Sequence, residues 1–348
     1  RQVTTDGCWA ETKKTAYVTN GTVFHLQDKQ ANKSRKTELI SLPPQESVCL
    51  IRSGDLLQIL STDIAGKPAL HDSSGVLMNP GKLSLVVPEV FRDICPGESI
   101  SFDDGRIAGI VETAGEDEIQ VRITHTRKPV EKLEGGRGVN LPDTDLNLPA
   151  LSAKDLQDLE FVARHADMVG LSFTNGPGDV RALNQRLRAL GREDMSVILK
   201  IETKRGFSRL PAMLLEALKF RACGIMIARG DLAVECGFER LSEVQEEILW
   251  VCEAAHIPVI WATQVLEGLT RRGHATRAEI TDAAMAQAAE VVMLNKGAHI
   301  IEAVEMLDDI LQRMQGHHRK KRSMLRKLHL ATEFQEYFKR QVAEIASD

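Results

Sequence analysis

The chain has 348 residues, 44 Lys+Arg against 49 Asp+Glu, with 43% hydrophobic and 4% aromatic residues, a composition that excludes fibrous, collagen-like and wholly disordered proteins. Its length predicts two or three domains, at roughly 100–200 residues each. A net charge of -5 argues against whole-molecule attraction to nucleic acid or an anionic membrane; no uncharged apolar run of about 18 residues occurs, and the polar start Arg1-Gln2-Val3-Thr4-Thr5-Asp6 is unlike a signal peptide, so the cytoplasm or an organelle stroma is the expected location.

After a short N-terminal segment, 1–12, residues 13–147 have a β-rich texture. Apolar runs at 15–18, 48–51, 83–87, 107–111 and 119–123 are separated by turn residues such as Asn20-Gly21, Pro96-Gly97 and Asp103-Asp104-Gly105. Strands at this spacing predict a small barrel or sandwich. The polar stretch 27–38, with Lys29, Lys33, Arg35 and Lys36, reads as a loop within it. The cysteines Cys8, Cys49, Cys95, Cys223, Cys236 and Cys252 form no Cys-x-x-Cys pair and have no histidine at zinc spacing, so they read as reduced thiols.

From about residue 148 the texture changes. Apolar runs at 167–173, 197–202, 224–229, 257–262 and 291–294 resemble buried parallel strands, and amphipathic segments at 152–165, 177–190, 207–220, 239–255, 276–289 and 299–315 resemble the helices between them. Ser152 is placed as an N-cap and Pro177 as a first-turn proline. The alternation predicts a parallel sheet with outer helices, either an open doubly wound sheet or part of a (β/α)8 barrel, over 148–316. A basic stretch, Gly316 through Leu328, leads into a C-terminal tail over 317–348; a solvated helix is its plain reading, and binding of nucleic acid, an acidic partner or a membrane surface the alternative.

In such a sheet chemistry gathers where strands end. The polar residues there are Ser172, then Lys200 and Glu202, Arg229 and Asp231, Thr263 and Gln264, and Asn295 and Lys296. Each is also simply the first solvated position after its strand. Lys200 and Glu202 are two apart and share a face, so an ammonium and a carboxylate can meet one substrate; an ion pair is the simpler reading. Glu202 and Asp231, on adjacent strands, can share a divalent cation, and two carboxylates without nearby Cys or His suit magnesium or manganese better than zinc.

These residues also carry a resemblance. The run from Met226 to Glu235 (Met-Ile-Ala-Arg-Gly-Asp-Leu-Ala-Val-Glu) resembles the signature of the pyruvate kinase family, as do Lys200-Ile201-Glu202, Trp261-Ala262-Thr263-Gln264-Val265-Leu266-Glu267 and Thr276-Arg277-Ala278-Glu279. Phe102-Asp103-Asp104-Gly105, Gly138-Val139-Asn140-Leu141-Pro142 and Leu148 through Asp155 match in order, so the resemblance covers about residues 95–315. It implies part of a (β/α)8 barrel, five βα units, with 13–147 as an inserted β-barrel cap. It also implies transfer of a phosphoryl group from phosphoenolpyruvate to ADP, giving pyruvate and ATP, and a homo-oligomer. Lys200 would neutralise the phosphoryl group in flight, and Glu202 and Asp231 would hold Mg2+ or Mn2+. Thr263 would stand near the carbon that is protonated, and the backbone at Ala228, Gly230 and Asp231 would hold the substrate carboxylate, with Ser172 and Arg229 in the same substrate-binding set. Asp104 and Arg137 of the cap would approach the nucleotide, Arg137 being lysine in many members.

The departures are equally specific. The family's first three βα units, which supply a phosphate-contacting arginine and the ligands for K+, are not in this sequence, which leaves the K+ requirement open, and the C-terminal effector domain has no counterpart. Asn295-Lys296-Gly297-Ala298 replaces the usual Ser-Gly-Glu-Thr, and Asn175 stands where many members carry arginine. The expectation is an enzyme impaired in this chain alone. The alternatives are a catalytically silent relative with a binding role and another metal-dependent barrel enzyme of enolate chemistry.

Overall fold

Alternating burial along short β-strands builds two separate apolar cores, one under a mixed sheet and one between a parallel sheet and its helices. The computed structural model describes residues 2–4, 7–9, 21–28, 33–38, 48–318, 333–334 and 337–340. The chain divides into two units, Arg1–Val48 and Cys49–Asp348. In the first, β1 (Gln2–Thr4) pairs with β2 (Gly7–Trp9), and β3 (Val23–Asp28) pairs with β4 (Lys33–Glu38), both antiparallel. Within the stretch expected as a loop, 27–28 and 33–38 are therefore strand: in-register pairing from Val23↔Glu38 to Asp28↔Lys33 satisfies the backbone groups that face the partner although the side chains are largely polar. The expected strand at 15–18 lies outside the described residues.

The second unit opens with β5 (Cys49–Ile51), β6 (Leu56–Leu60), β7 (Leu70–His71), β8 (Leu77–Asn79), β9 (Gly81–Ser84), helix α1 (Pro88–Asp93), β10 (Ser99–Phe102), β11 (Ile107–Ala114), β12 (Glu118–Thr126), β13 (Glu131–Leu133) and β14 (Val139–Asn140). Six of these form one sheet in the order β14-β10-β11-β12-β6-β9, antiparallel throughout except for the β6–β9 pair. Leu57 and Ile59 of β6, Ile107 and Val111 of β11, and Ile119, Val121 and Ile123 of β12 alternate into its core, joined by Val90 and Phe91 of α1. Pro88 sits in the first turn of α1, where its missing N–H costs nothing, so the expected strand 83–87 is met only at Leu83 and Ser84 of β9 and the chain then turns into the helix after Val87.

After the connector 141–152 come α2 (Ala153–His165), β15 (Met168–Leu171), α3 (Pro177–Ala189), β16 (Ser196–Ile201), α4 (Lys204–Ser208), α5 (Leu210–Ala217), β17 (Cys223–Ala228), α6 (Arg229–Cys236), α7 (Leu241–Ala254), β18 (Val259–Ala262), α8 (Glu267–Arg272), α9 (Arg277–Met285), β19 (Val291–Val292) and α10 (Ile300–His318). Strands β15 to β19 are parallel and adjacent in chain order. A doubly wound sheet reverses its order at a switch point; this one does not, which is the pattern of an α/β barrel wall. Val197, Leu199 and Ile201, with Ile225, Ile227, Val259 and Trp261, are buried in the core that includes Val180, Leu183, Leu210, Val244 and Ile248 of the helices. The expected helix 207–220 is broken at Arg209, where Pro211 starts a new helix. Of the basic stretch, residues 316–318 close α10, and 319–332 lie outside the described residues.

Candidate functional site

Because Leu199 and Ile201 point into the core, Lys200 between them lies on the opposite face of β16, at the end of the strand. Its Nζ donates to Ser172 Oγ of the neighbouring strand end at 2.9 Å and stands 2.7 Å from Glu202 Oε1. Glu202 is only 3% exposed, and its other carboxylate oxygen accepts the backbone N–H of Phe173. One buried carboxylate is thus met by an ammonium on one side and a peptide dipole on the other.

Asp231 stands on the next strand end, in the first turn of α6. Burial pushes its carboxyl above the ordinary range, and Glu202 adds to the shift; Asn140, whose Nδ2 donates to Asp231 Oδ1 at 3.3 Å, and Lys200 oppose it. Asn140 belongs to β14, which pairs with β10, so the same sheet edge also delivers Asp103 and Asp104. Burial raises the Asp104 carboxyl too, with Asp231 and Asp103 as the next causes, while Arg106 and Arg137 pull it down. Arg137 itself pairs with Glu134 and stands 3.5 Å from Asp103 Oδ1.

On the other flank, Thr263 Oγ1 accepts the backbone N–H of Gly230 at 3.1 Å. Thr263 and Gln264 have φ of 66° and 56°, and Phe173, after β15, has 48°. Left-handed non-glycine residues cost about 1–3 kcal/mol each and persist where surroundings hold them, so their gathering at strand ends marks the same end of the sheet. Arg229 is different from its sequence expectation. Its guanidinium is spent on the scaffold: Nε donates to Ala262 O at 3.0 Å, the terminal nitrogens reach Thr263 O and Asp282, and the group lies 5.0 Å from the centroid of the Trp261 ring. Asn175 is also engaged locally, its N–H donating to Asp179 at 2.7 Å and its Oδ1 accepting from Thr203. In the altered segment, Gly297 packs so closely on Thr270 that a Cβ would lie 2.1 Å from the Thr270 carbonyl oxygen.

The structure therefore gathers Ser172, Lys200 and Glu202 through direct contacts, links Asp231 electrostatically to Lys200 and Glu202 and Asp104 to Asp231, and joins Thr263 to Gly230. Two participants were missed in the sequence. Asn140 and Glu235 both lie within the family-like motifs but carry no role there, and Glu235, one helical turn after Asp231, is pushed by burial up to about 7 while accepting from Asn140 and the Lys204 N–H. Among the described residues no group of three or more His, Cys, Asp or Glu encloses a metal. The donor set nonetheless suits a hard divalent cation: two carboxylates, one buried and one raised by burial and by the other, with the Lys200 ammonium 2.7 Å from Glu202 and drawing the Asp231 carboxyl down.

The sequence profile described as "Pyruvate kinase, barrel domain" matches residues 51–304. A pyruvate kinase of Bacillus licheniformis is 31% identical over 258 residues, covering 72% of this chain and 43% of its own length. One from Clostridium acetobutylicum is 34% identical over 239 residues, covering 66% and 48%, and one from Leishmania mexicana 38% identical over 219 residues, covering 61% and 42%. The chain thus spans about half the length, 43% and 48%, of the first two of these curated relatives.

Proposed function

Since the chain belongs to the pyruvate kinase family, we propose that its strand ends carry a phosphoryl-transfer site acting between phosphoenolpyruvate and ADP. The observation that carries this reading is Lys200: a protonated amine held at 2.7–2.9 Å by Glu202 and Ser172 at the mouth of a parallel sheet. Phosphoryl transfer needs positioning and charge neutralisation more than covalent help. Lys200 meets the migrating phosphoryl group as a fixed positive charge, and Glu202 keeps that charge in place. Thr263, pinned by the Gly230 N–H, presents its hydroxyl beside the enolpyruvate, and the backbone at Ala228–Asp231 receives the substrate carboxylate. Glu202 and Asp231 would hold Mg2+ or Mn2+, which supplies Lewis-acid polarisation of phosphate oxygens when bound. Asp104 and Arg137 face the nucleotide from the cap. The cap extends to residue 147, a boundary supported by the two cores, one using residues from Cys49 to Leu146 and the other residues from Leu151 onward.

The test is pyruvate formation from phosphoenolpyruvate and ADP with magnesium, on this chain and on a longer polypeptide carrying it. In whichever form turns over, Lys200→Met is expected to lower kcat by on the order of 10³ or more while phosphoenolpyruvate and Mn2+ affinities stay within about tenfold, the pattern of a group acting in the transition state. Asp231→Ala is expected to abolish Mn2+ binding in calorimetry. No turnover in either form would favour a silent relative, and an unchanged kcat would remove Lys200 from the mechanism.

A further inference from the structure

Beside the strand-end cluster, residues 139–148, the start of α4 and the end of α6 enclose a cavity of about 600 Å³, within the range of sites that take small organic molecules. The acids on its walls are engaged. Asp145 is ion-paired with Arg205, Asp143 accepts the Ser99 N–H at 3.0 Å, and Glu235 accepts from Asn140 and the Lys204 N–H. The basic groups are not fully matched. Arg209 makes no ion pair among the described residues; its guanidinium lies 5.6 Å from the Tyr337 ring centroid, and burial, with the neighbouring Arg205 charge, lowers its pKa. Arg205 donates from Nη1 to Leu146 O at 3.0 Å, yet its Nε is buried without a partner. On the same cavity Asn140, 4% exposed, leaves its Oδ1 buried and unpartnered.

What the walls leave open is thus an anionic acceptor for the Arg209 guanidinium and for Arg205 Nε beside it, and a donor facing an amide oxygen. We propose that this cavity binds a small oxyanion that also carries a hydroxyl group, with its carboxylate or phosphate between Arg205 and Arg209 and its hydroxyl donating to Asn140 Oδ1. Planar guanidinium forks suit either oxyanion. Neither group has been given a part in phosphoryl transfer.

Titration calorimetry on the full chain tests this with four probes: malate and succinate, which differ by one hydroxyl, and 3-hydroxypropyl phosphate and propyl phosphate, which likewise differ by one hydroxyl. At least one hydroxylated probe is expected to bind about tenfold more tightly than its hydroxyl-free counterpart, the worth of one well-made hydrogen bond; which pair shows the gain identifies carboxylate or phosphate as the anion. Arg209→Met is expected to weaken that probe by about tenfold or more, Arg209→Lys by less, and Asn140→Ala to bring the hydroxylated probe down to the level of its counterpart. Lys200→Met is expected to leave the affinity unchanged. Circular-dichroism melts check that each variant folds, and the Lys substitution serves where Met does not. The proposal is overturned if no probe binds below about 10 mM, if the hydroxyl makes no difference, or if binding is lost in Lys200→Met and kept in both Arg209 variants. Because the readout is binding of these anions, failure here leaves the phosphoryl-transfer reading standing, and the reverse holds.

Discussion

Among the described carboxylic acids Glu235 is the one whose ionisation the fold resists most plainly, its carboxyl being carried by burial to about 7 against an ordinary 4.5. Between those two values the folded state keeps a proton that the unfolded state has lost, so stability falls as pH rises through the window and levels off above it. Replacing the carboxylate by a neutral amide removes the penalty. Glu235→Gln, in metal-free buffer, is expected to raise the melting temperature at pH 8 and to change it little at pH 4.5; an equal effect at both pH values would show that ionisation is not the cause. At this scale the sequence was informative where spacing decides. Lys200 and Glu202 share a face because they are two apart, and that holds. Arg229 shows the limit: the sequence places it at a strand end, but a long guanidinium side chain can turn back to Ala262 and Thr263 carbonyls, and spacing says nothing of that. Asn140 escaped notice because its partners, Asp231 and Glu235, are far along the chain and meet it only in the fold.

Among the elements, α2 illustrates how much of a helix is written at its first residue. The Ser152 side chain accepts from the Asp155 N–H at 3.1 Å and the Asp155 carboxylate accepts from the Ser152 N–H at 2.8 Å, a reciprocal capping box. Ser152→Ala is expected to cost about 1 kcal/mol, seen as a fall of about 2–4 °C in melting temperature, whereas Ser152→Asp should retain most of the stability. The parallel strands were equally legible, since continuous apolar runs bounded by helices have few other readings. The hairpin β3–β4 was not: its strands are held by backbone pairing, and a charged run carries no period-2 signal. The break between α4 and α5 was signalled by Pro211 and passed over because the apolar pattern continues through it.

At the scale of the molecule, the parallel sheet is an arc. Among the described residues β15 and β19 each have a neighbour on one side only, and exposed Met168 and Val291 sit on those two strands. Unpaired parallel edges with apolar flanks favour association. The 348-residue chain is expected to self-associate with concentration in sedimentation velocity; a monodisperse monomer at every concentration would contradict this. Strand order has one more consequence. In the parallel sheet every strand pairs with the next one made, so each βα unit can dock as soon as it leaves the ribosome. In the mixed sheet β6 (Leu56–Leu60) pairs with β12 (Glu118–Thr126), a loop that must close late and at an entropic cost. The part that has to wait is therefore made before the parallel sheet, and a pause after residue 140, when β14 is available to β10, would help it more than a pause within the parallel sheet.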